Sequence, residues 1–371
     1  MTSTDSPETI DMTTLHEPLP LTCGAVLKNR FVLAPLTNLQ SHPDGTLSDD
    51  EFRWLTMRAA GGFGLTMTCA ASVQAVGVGF PGQLGAHDER HHPGLARLAH
   101  AIRAAGSHAV VQLHHAGIRA PRDLIGTAPV GPSDDAETGA RALTSSEVER
   151  VAADFVAAAA RCQRAGFDGV ELHGAHGYLL CAFLSPEINQ RTDRYGGSPE
   201  NRARLLFDIV EGVRATCGPG FSLGVRLSPE RFGLKLEDIR AVAQRLMREG
   251  LIDYLDLSLW DVFKTPEEDA FKERPLVSWF TDLERGGVRL GAAGKIATGE
   301  ACAKAMAAGL DYVLIGRGAI LHHDFPRRVA ADPGFLPAPL PVAADHLRRE
   351  GLGEAFVSYM KTWKGFVAEA A

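Results

Sequence analysis

The sequence predicts an α/β chain folded as one (β/α)8 barrel, the TIM-barrel class, in a single domain. Three observations carry the prediction. Eight short apolar or β-branched runs recur along the chain, separated by longer helical or loop-like stretches. Several runs are too uniformly apolar to have a face in water, as expected of strands buried on both sides in a parallel sheet. The length, 371 residues, is ordinary for one such barrel with added loops.

The elements follow in order. A polar lead over residues 1–24 precedes the barrel, placed at residues 25–332. The predicted strands are Phe31–Leu36, Gly64–Thr68, His108–Leu113, Gly169–His173, Ser222–Leu227, Tyr254–Ser258, Arg289–Ala293 and Tyr312–Ile315. Between the third and fourth, a helix near Ser145–Ala165 opens on the capping box Thr144-x-x-Glu147 and stops at Gly166. Helices near Pro199–Thr216 and Leu236–Glu249 stop at Gly218 and Gly250. The helix after the sixth strand is poorly signalled, and Trp260–Pro275 reads as a long loop. Residues 333–371 read as a C-terminal extension packing on the barrel through a final helix. An open doubly wound sheet is the alternative, but no G-x-G-x-x-G follows the first strand.

Composition narrows the partners. With 45% hydrophobic residues the chain can bury a large core, and the net charge of −7 comes from mixed acidic and basic residues. No Lys/Arg stretch is dense enough to neutralise a phosphate backbone, so no nucleic-acid partner is expected. The six cysteines are scattered without metal or C-x-x-C spacing, which suggests reduced thiols. The start MTSTDSPETIDMTT has neither the basic opening nor the apolar core of a signal peptide, and no apolar run could cross a bilayer. The expectation is a cytoplasmic protein, monomeric or homo-oligomeric, acting on a small diffusible substrate away from the membrane.

In such barrels the chemistry gathers at the C-terminal ends of the strands. Strand seven runs into Gly294-Lys295 and strand eight into Gly316-Arg317. Glycine lets backbone N–H groups approach phosphate oxygens and a basic side chain completes the charge, although glycines also simply turn chains. Arg226 interrupts the apolar strand LGVRL, where a charge is costly unless it meets a partner; either a ligand or a structural ion pair would serve. Gln112 intrudes likewise in VVQLH. His173-Gly-Ala-His176 at the end of strand four admits core histidines, a zinc pair lacking a recognisable third ligand, or two N–H donors converging on one substrate oxygen. Tyr178, two residues on, could deliver a proton there.

Phe167–Leu205, FDGVELHGAHGYLLCAFLSPEINQRTDRYGGSPENRARL, resembles the signature stretch of the old yellow enzyme family of flavin oxidoreductases. Supporting segments are Asn29–Thr37, Val110–Ala120, Val225–Ser228, Gly294–Thr298 and Ala308–Ile320, in the family's order, so the likeness spans about Leu27 to Phe325. The resemblance implies non-covalent FMN, with NADPH or NADH as reductant and an activated alkene as substrate. It implies Pro35, Thr37 and Ala70 beside the flavin ring, Gln112 at its pyrimidine edge and Arg226 near N1. Gly294, Lys295, Gly316 and Arg317 fall at the phosphate loops, His173 and His176 at the grip on the substrate oxygen, and Tyr178 at the proton donor; no metal is implied. Cys69 stands where many relatives carry Glu, His114 replaces a frequent Trp or Ala, and Leu39 takes the place of a Tyr found in one subgroup. Within the family an oxidative role, N-demethylation or desaturation, is the alternative. A metal-dependent hydrolase and a flavin store without turnover are the readings from other classes.

Overall fold

Eight strands in the computed structural model, which describes residues 12–369, pair in chain order and close on themselves. They are β1 (Phe31–Leu33), β2 (Leu65–Ser72), β3 (His108–His114), β4 (Gly169–Gly174), β5 (Ser222–Leu227), β6 (Tyr254–Ser258), β7 (Arg289–Ala293) and β8 (Tyr312–Ile315). Every neighbouring pair is parallel. This is the predicted barrel. Two strands differ in extent: β1 has three residues, and β2 runs on to Ser72 through an irregularity between Met67 and Ala70. Such a bulge re-aims side chains at a barrel rim, here at Ala70.

The helices of the outer layer are α1 (Asp49–Ala60), α2 (His92–Ala104), α3 (Ser145–Arg164), α4 (Pro199–Cys217), α5 (Leu236–Glu249), α6 (Gly299–Ala307) and α7 (Phe325–Ala331). The capping box of α3 forms as read: Glu147 N–H donates to Thr144 Oγ1 at 3.3 Å, and Thr144 N–H to the Glu147 carboxylate at 2.8 Å. After β6 the chain makes a loop with a short 3-10 turn at Asp269–Phe271 and then the four-residue helix Ser278–Thr281.

Residues 1–11 of the predicted polar lead lie outside the described residues. Its remainder carries Leu15, Leu19 and Leu21, all buried. Leu19–Pro20 pairs antiparallel with Val26–Leu27. Leu19, Leu21 and Leu27 join Leu65, Val110 and Tyr254 in the apolar cluster inside the barrel, stoppering its N-terminal mouth. Burying each such leucine contributes about 1.5–3 kcal/mol. Higher up, the interior is filled by two phenol rings. Gly224 and Gly291 make the room: a Cβ on either would lie 2.1 Å from the ring of Tyr254 or Tyr312.

The C-terminal extension carries α8 (Ala344–Arg349) and α9 (Glu354–Lys361). Trp54 of α1 meets Phe356 of α9 edge-on at 4.9 Å, a contact worth about 0.5–1.5 kcal/mol beyond its burial. The extension is thereby fixed beside the C-terminal mouth. Among the described residues, no helix is long and apolar enough to cross a membrane.

Candidate active site

Two adjoining cavities open at the C-terminal ends of the strands, of about 690 Å³ and 460 Å³. They share Pro35, Leu36, His176, Arg226, Trp260 and Trp363, so they form one elongated trough. Every site residue singled out in the sequence lines it. Gly294, Lys295, Gly316 and Arg317 belong to the larger end, and Thr37, Ala70, Gln112, His173 and Tyr178 to the smaller.

At the larger end, the two glycines differ. A Cβ on Gly294 would meet the backbone of Trp260 and Asp261 at 2.8–3.0 Å, so packing alone demands glycine there. At Gly316 the nearest atom to a Cβ would be Leu36 Cδ2 at 3.6 Å, so glycine keeps cavity space open rather than relieving a clash. Lys295 Nζ sits 2.9 Å from Asp261, largely exposed, and Arg317 is exposed at the rim.

At the smaller end, strands β3 to β6 present Gln112, His173, Arg226 and Ser258 in turn. Gln112 Nε2 donates to Glu171 Oε1 at 2.6 Å, across the register pair that joins β3 to β4. Arg226 stands opposite His173 on one side and Asp256 on the other. Its Nε and Nη1 are buried without a hydrogen-bond acceptor. A buried guanidinium with open donors is expensive unless a ligand supplies the acceptors. That orphaned charge, above a trough long enough for a ring system and a phosphorylated tail, fits FMN.

The histidines form a relay. The backbone N–H of Ala175 donates to His173 Nδ1 (3.3 Å), which leaves the His173 proton on Nε2. His173 Nε2 lies 3.3 Å from His176 Nδ1, and His176 Nε2 lies 2.6 Å from Ser258 Oγ. Two N–H donors converging on one substrate oxygen is one of the arrangements the sequence admits. Here each is engaged, one on the other ring and one on Ser258. Burial holds His173 well below its usual pKa, reinforced by His176, His114 and Arg226. It lowers His176 to about 3, with Arg226 and Arg119 adding repulsion. Both rings are neutral donors at ordinary pH.

Tyr178 packs edge-on against His173 (5.0 Å) and His114 (4.3 Å), with the Arg119 guanidinium 4.8 Å over its ring. Burial raises its pKa and Arg119 opposes the rise, so the phenol stays protonated and can donate. His114 lies one layer beneath, wholly buried. Gln83 Oε1 accepts from Gly79 N–H, which turns its amide nitrogen towards His114 Nδ1 at 2.9 Å. Neither Cys69 nor Leu39 lines the trough; the Cys69 thiol donates to Glu51 Oε1 at 2.9 Å.

Sequence reasoning missed Ser258, Arg119, Trp260 and the α9-region residues Tyr359, Met360 and Trp363, all of which line the trough. Ser258 was detectable as the last residue of a predicted strand. The others come from loops and from a helix whose target is far away in the chain. A second group of ligand-type side chains, His322, His346 and Glu350, lies outside the trough. It is poorly arranged for a metal. Ligation through His322 Nδ1 needs the ring proton on Nε2, where the Ala338 N–H already donates at 2.9 Å.

Residues 14–333 match the NADH:flavin oxidoreductase / NADH oxidase family. The chain belongs to that family, the old yellow enzymes. It is an FMN-dependent NAD(P)H oxidoreductase. It is 39% identical over 314 residues to a probable NADH-dependent flavin oxidoreductase of Bacillus subtilis, covering 82% of this chain and 84% of that one. Some relatives are longer: an NADH:fumarate oxidoreductase of Klebsiella pneumoniae is 34% identical over 85% of this chain but only 36% of its own length. Among solved structures, the old yellow enzyme homologue from Zymomonas mobilis superposes with a TM-score of 0.77 at 28% identity, covering 93% of this chain and 99% of that one. Morphinone reductase in complex with tetrahydroNAD gives a TM-score of 0.76 at 28% identity, over 93% of this chain and 96% of the other.

Proposed function

We propose that this old yellow enzyme reduces the C=C bond of activated alkenes, α,β-unsaturated carbonyl or nitro compounds. The observation that carries the reading is the joining of the two cavities at Arg226 and His176, with neutral N–H donors and a protonated phenol at the smaller end. FMN bound in the trough would supply the hydride chemistry that links the nicotinamide to the alkene. The chain supplies placement, electrostatics and the proton.

Gln112 and Arg226 are assigned to the pyrimidine edge of the flavin, where the open guanidinium donors meet negative charge. Pro35, Thr37 and Ala70 flank the ring. The loops at Gly294-Lys295 and Gly316-Arg317 hold the phosphate. His176 turns its Nε2–H from Ser258 onto the substrate oxygen, and His173 follows with the proton now spent on His176. Both stabilise negative charge that grows on that oxygen as the bond is reduced. Their neutrality matters, because a neutral N–H aids the oxygen without surrendering a proton to it. Tyr178 then protonates the carbon next to the electron-withdrawing group.

The test is a panel of alkenes mixed with photoreduced holoenzyme without oxygen, following the return of flavin absorbance. Enones, maleimides or nitroalkenes reoxidise it, with one saturated product per flavin. The reading fails if no activated alkene reoxidises the flavin faster than buffer does.

A further inference from the structure

Beneath the trough lies a pair of buried carboxyls to which the proposed chemistry gives no task. Glu171 of β4 and Asp256 of β6 are both wholly buried inside the barrel. Each has one oxygen satisfied: Glu171 Oε1 accepts from Gln112 Nε2 at 2.6 Å, and Asp256 Oδ1 from the Tyr312 hydroxyl at 2.6 Å. The other oxygens, Glu171 Oε2 and Asp256 Oδ2, are buried with no donor. Each carboxyl bears electrostatically on the other, and Arg226, in register with Asp256, bears on both. Two ionised carboxylates cannot share a dry site, whereas one carboxylic acid donating to one carboxylate satisfies both open oxygens.

The surrounding groups permit one net negative charge. Gln112 comes from β3, His173 from β4, Arg226 from β5, Tyr254 from β6 and Tyr312 from β8. Gly291 of β7 presents no side chain, β1 presents Val32 with Ala34 just beyond its end, and β2 presents Leu65 and Met67. Arg226 is the only cation among them; it pairs in register with Asp256 and bears electrostatically on both carboxyls. Burial raises the pKa of both, further raised for Glu171 by Asp256, while Arg226 works against the rise.

We propose that Glu171 and Asp256 share one proton and form a proton-linked counter-charge beneath the flavin, taking up a second proton when the cofactor is reduced. The inference rests on the placement of FMN over Arg226. The nicotinamide gives up a hydride and is oxidised; the cofactor gains it and with it one negative charge beside Arg226. That charge competes with the pair for the same cation. One proton from solvent then converts the acid–carboxylate pair into two acids, and the charge inside the barrel is unchanged. The Arg226 charge, with its open donors, is then no longer shared with a carboxylate and answers the flavin alone.

Two measurements separate the pair from the flavin placement. In flavin-free protein, infrared spectra show a buried carboxylic acid band that shifts in heavy water and is lost in both Glu171→Gln and Asp256→Asn. In holoenzyme, each proton taken up with two electrons changes the midpoint potential by about 30 mV per pH unit. Wild type shows the slope of two protons, and the isosteric double variant Glu171→Gln/Asp256→Asn the slope of one. Absence of the acid band overturns the shared proton. A band with equal slopes in wild type and double variant overturns the linkage alone. Where the double variant fails to fold, a one-proton slope in wild type is decisive against the linkage, and a two-proton slope accompanied by growth of the acid band on reduction supports it. Failure of Arg226→Ala to alter FMN affinity would instead displace the flavin placement and leave the pair standing.

Discussion

His173 Nε2 points at His176 Nδ1 across 3.3 Å, and the N–H of Ala175 behind His173 decides which ring donates. The pair is a one-way chain that ends on Ser258. A substrate oxygen therefore competes with Ser258 for the last N–H in the chain. His176→Ala should weaken binding of phenolate-like anions, which place an oxygen at this point. A lost charge-assisted bond is worth roughly 1.5–3 kcal/mol, about 10- to 150-fold in affinity. Titration of the flavin spectrum with a substituted phenol measures it, and flavin content should stay the same. Unaltered phenol affinity would remove His176 from the substrate grip.

The phosphate end is tested by a cofactor that lacks a phosphate. Arg317→Ala should weaken FMN binding to flavin-free protein by roughly 10-fold or more, the cost of one charge-assisted contact, and leave riboflavin affinity unchanged. Fluorescence quenching reads both. Equal losses for the two flavins would mean that Arg317 shapes the cavity and not the charge.

Acid should destabilise this protein over a defined window. Burial lowers His115 and His322 to about 4 and His176 to about 3. In the unfolded chain these rings titrate near 6.5. Between those values the unfolded state binds the extra protons, so the histidine contribution is fully present above pH 6.5 and is lost as pH falls towards 4. Each such ring adds about 1.4 kcal/mol per pH unit to the slope. His115 donates through Nε2 to Gln74 Oε1 at 2.9 Å, so His115→Gln keeps a polar side chain at the position. Urea unfolding with excess FMN should show a shallower acid slope in this variant, by about one proton. An identical slope would show that His115 is charged in the folded state.

Much of the site was legible because charge and amide are conspicuous in strands buried on both faces. Arg226 and Gln112 stood out in LGVRL and VVQLH for that reason, and the strand-end rule placed the two glycine–cation pairs. Glu171 and Asp256 gave the same signal in GVELH and YLDLS. Their meeting depends on barrel closure, which brings β4 and β6 together across Gly224. The extension of β2 through Cys69–Ser72 was hidden because small residues there carry little strand preference. Tyr359 on α9 and Trp363 just past its end gave no signal, since an aromatic in a terminal segment reads as core until its neighbours are known. The burial of Leu15, Leu19 and Leu21 in a lead read as polar shows the same limit: three leucines spaced along a short segment have no periodicity to read.

Tyr178→Phe gives the sharpest test of the proposed chemistry, because it separates the two half-reactions. Flavin reduction by the nicotinamide needs no proton from this phenol. Alkene reduction needs one, unless the carbanion equivalent is stable enough to wait for water. The phenol sits in the smaller cavity with its ring clamped between His114 and Arg119, at 4.3 and 4.8 Å. Phenylalanine preserves both contacts, so folding should be nearly unaffected. General acid catalysis contributes about 10²–10⁴-fold. Rapid mixing should therefore show a near-normal reductive rate, an oxidative rate with enones slowed by about that factor, and a smaller loss with nitroalkenes, whose nitronate anions persist. A pH profile adds a second reading: burial raises the Tyr178 pKa, so the wild-type oxidative rate should hold on the alkaline side beyond the usual phenol range. Equal slowing of both half-reactions, or no change in either, would show that the proton comes from another group. His114, buried against the same ring, would be the next residue to replace.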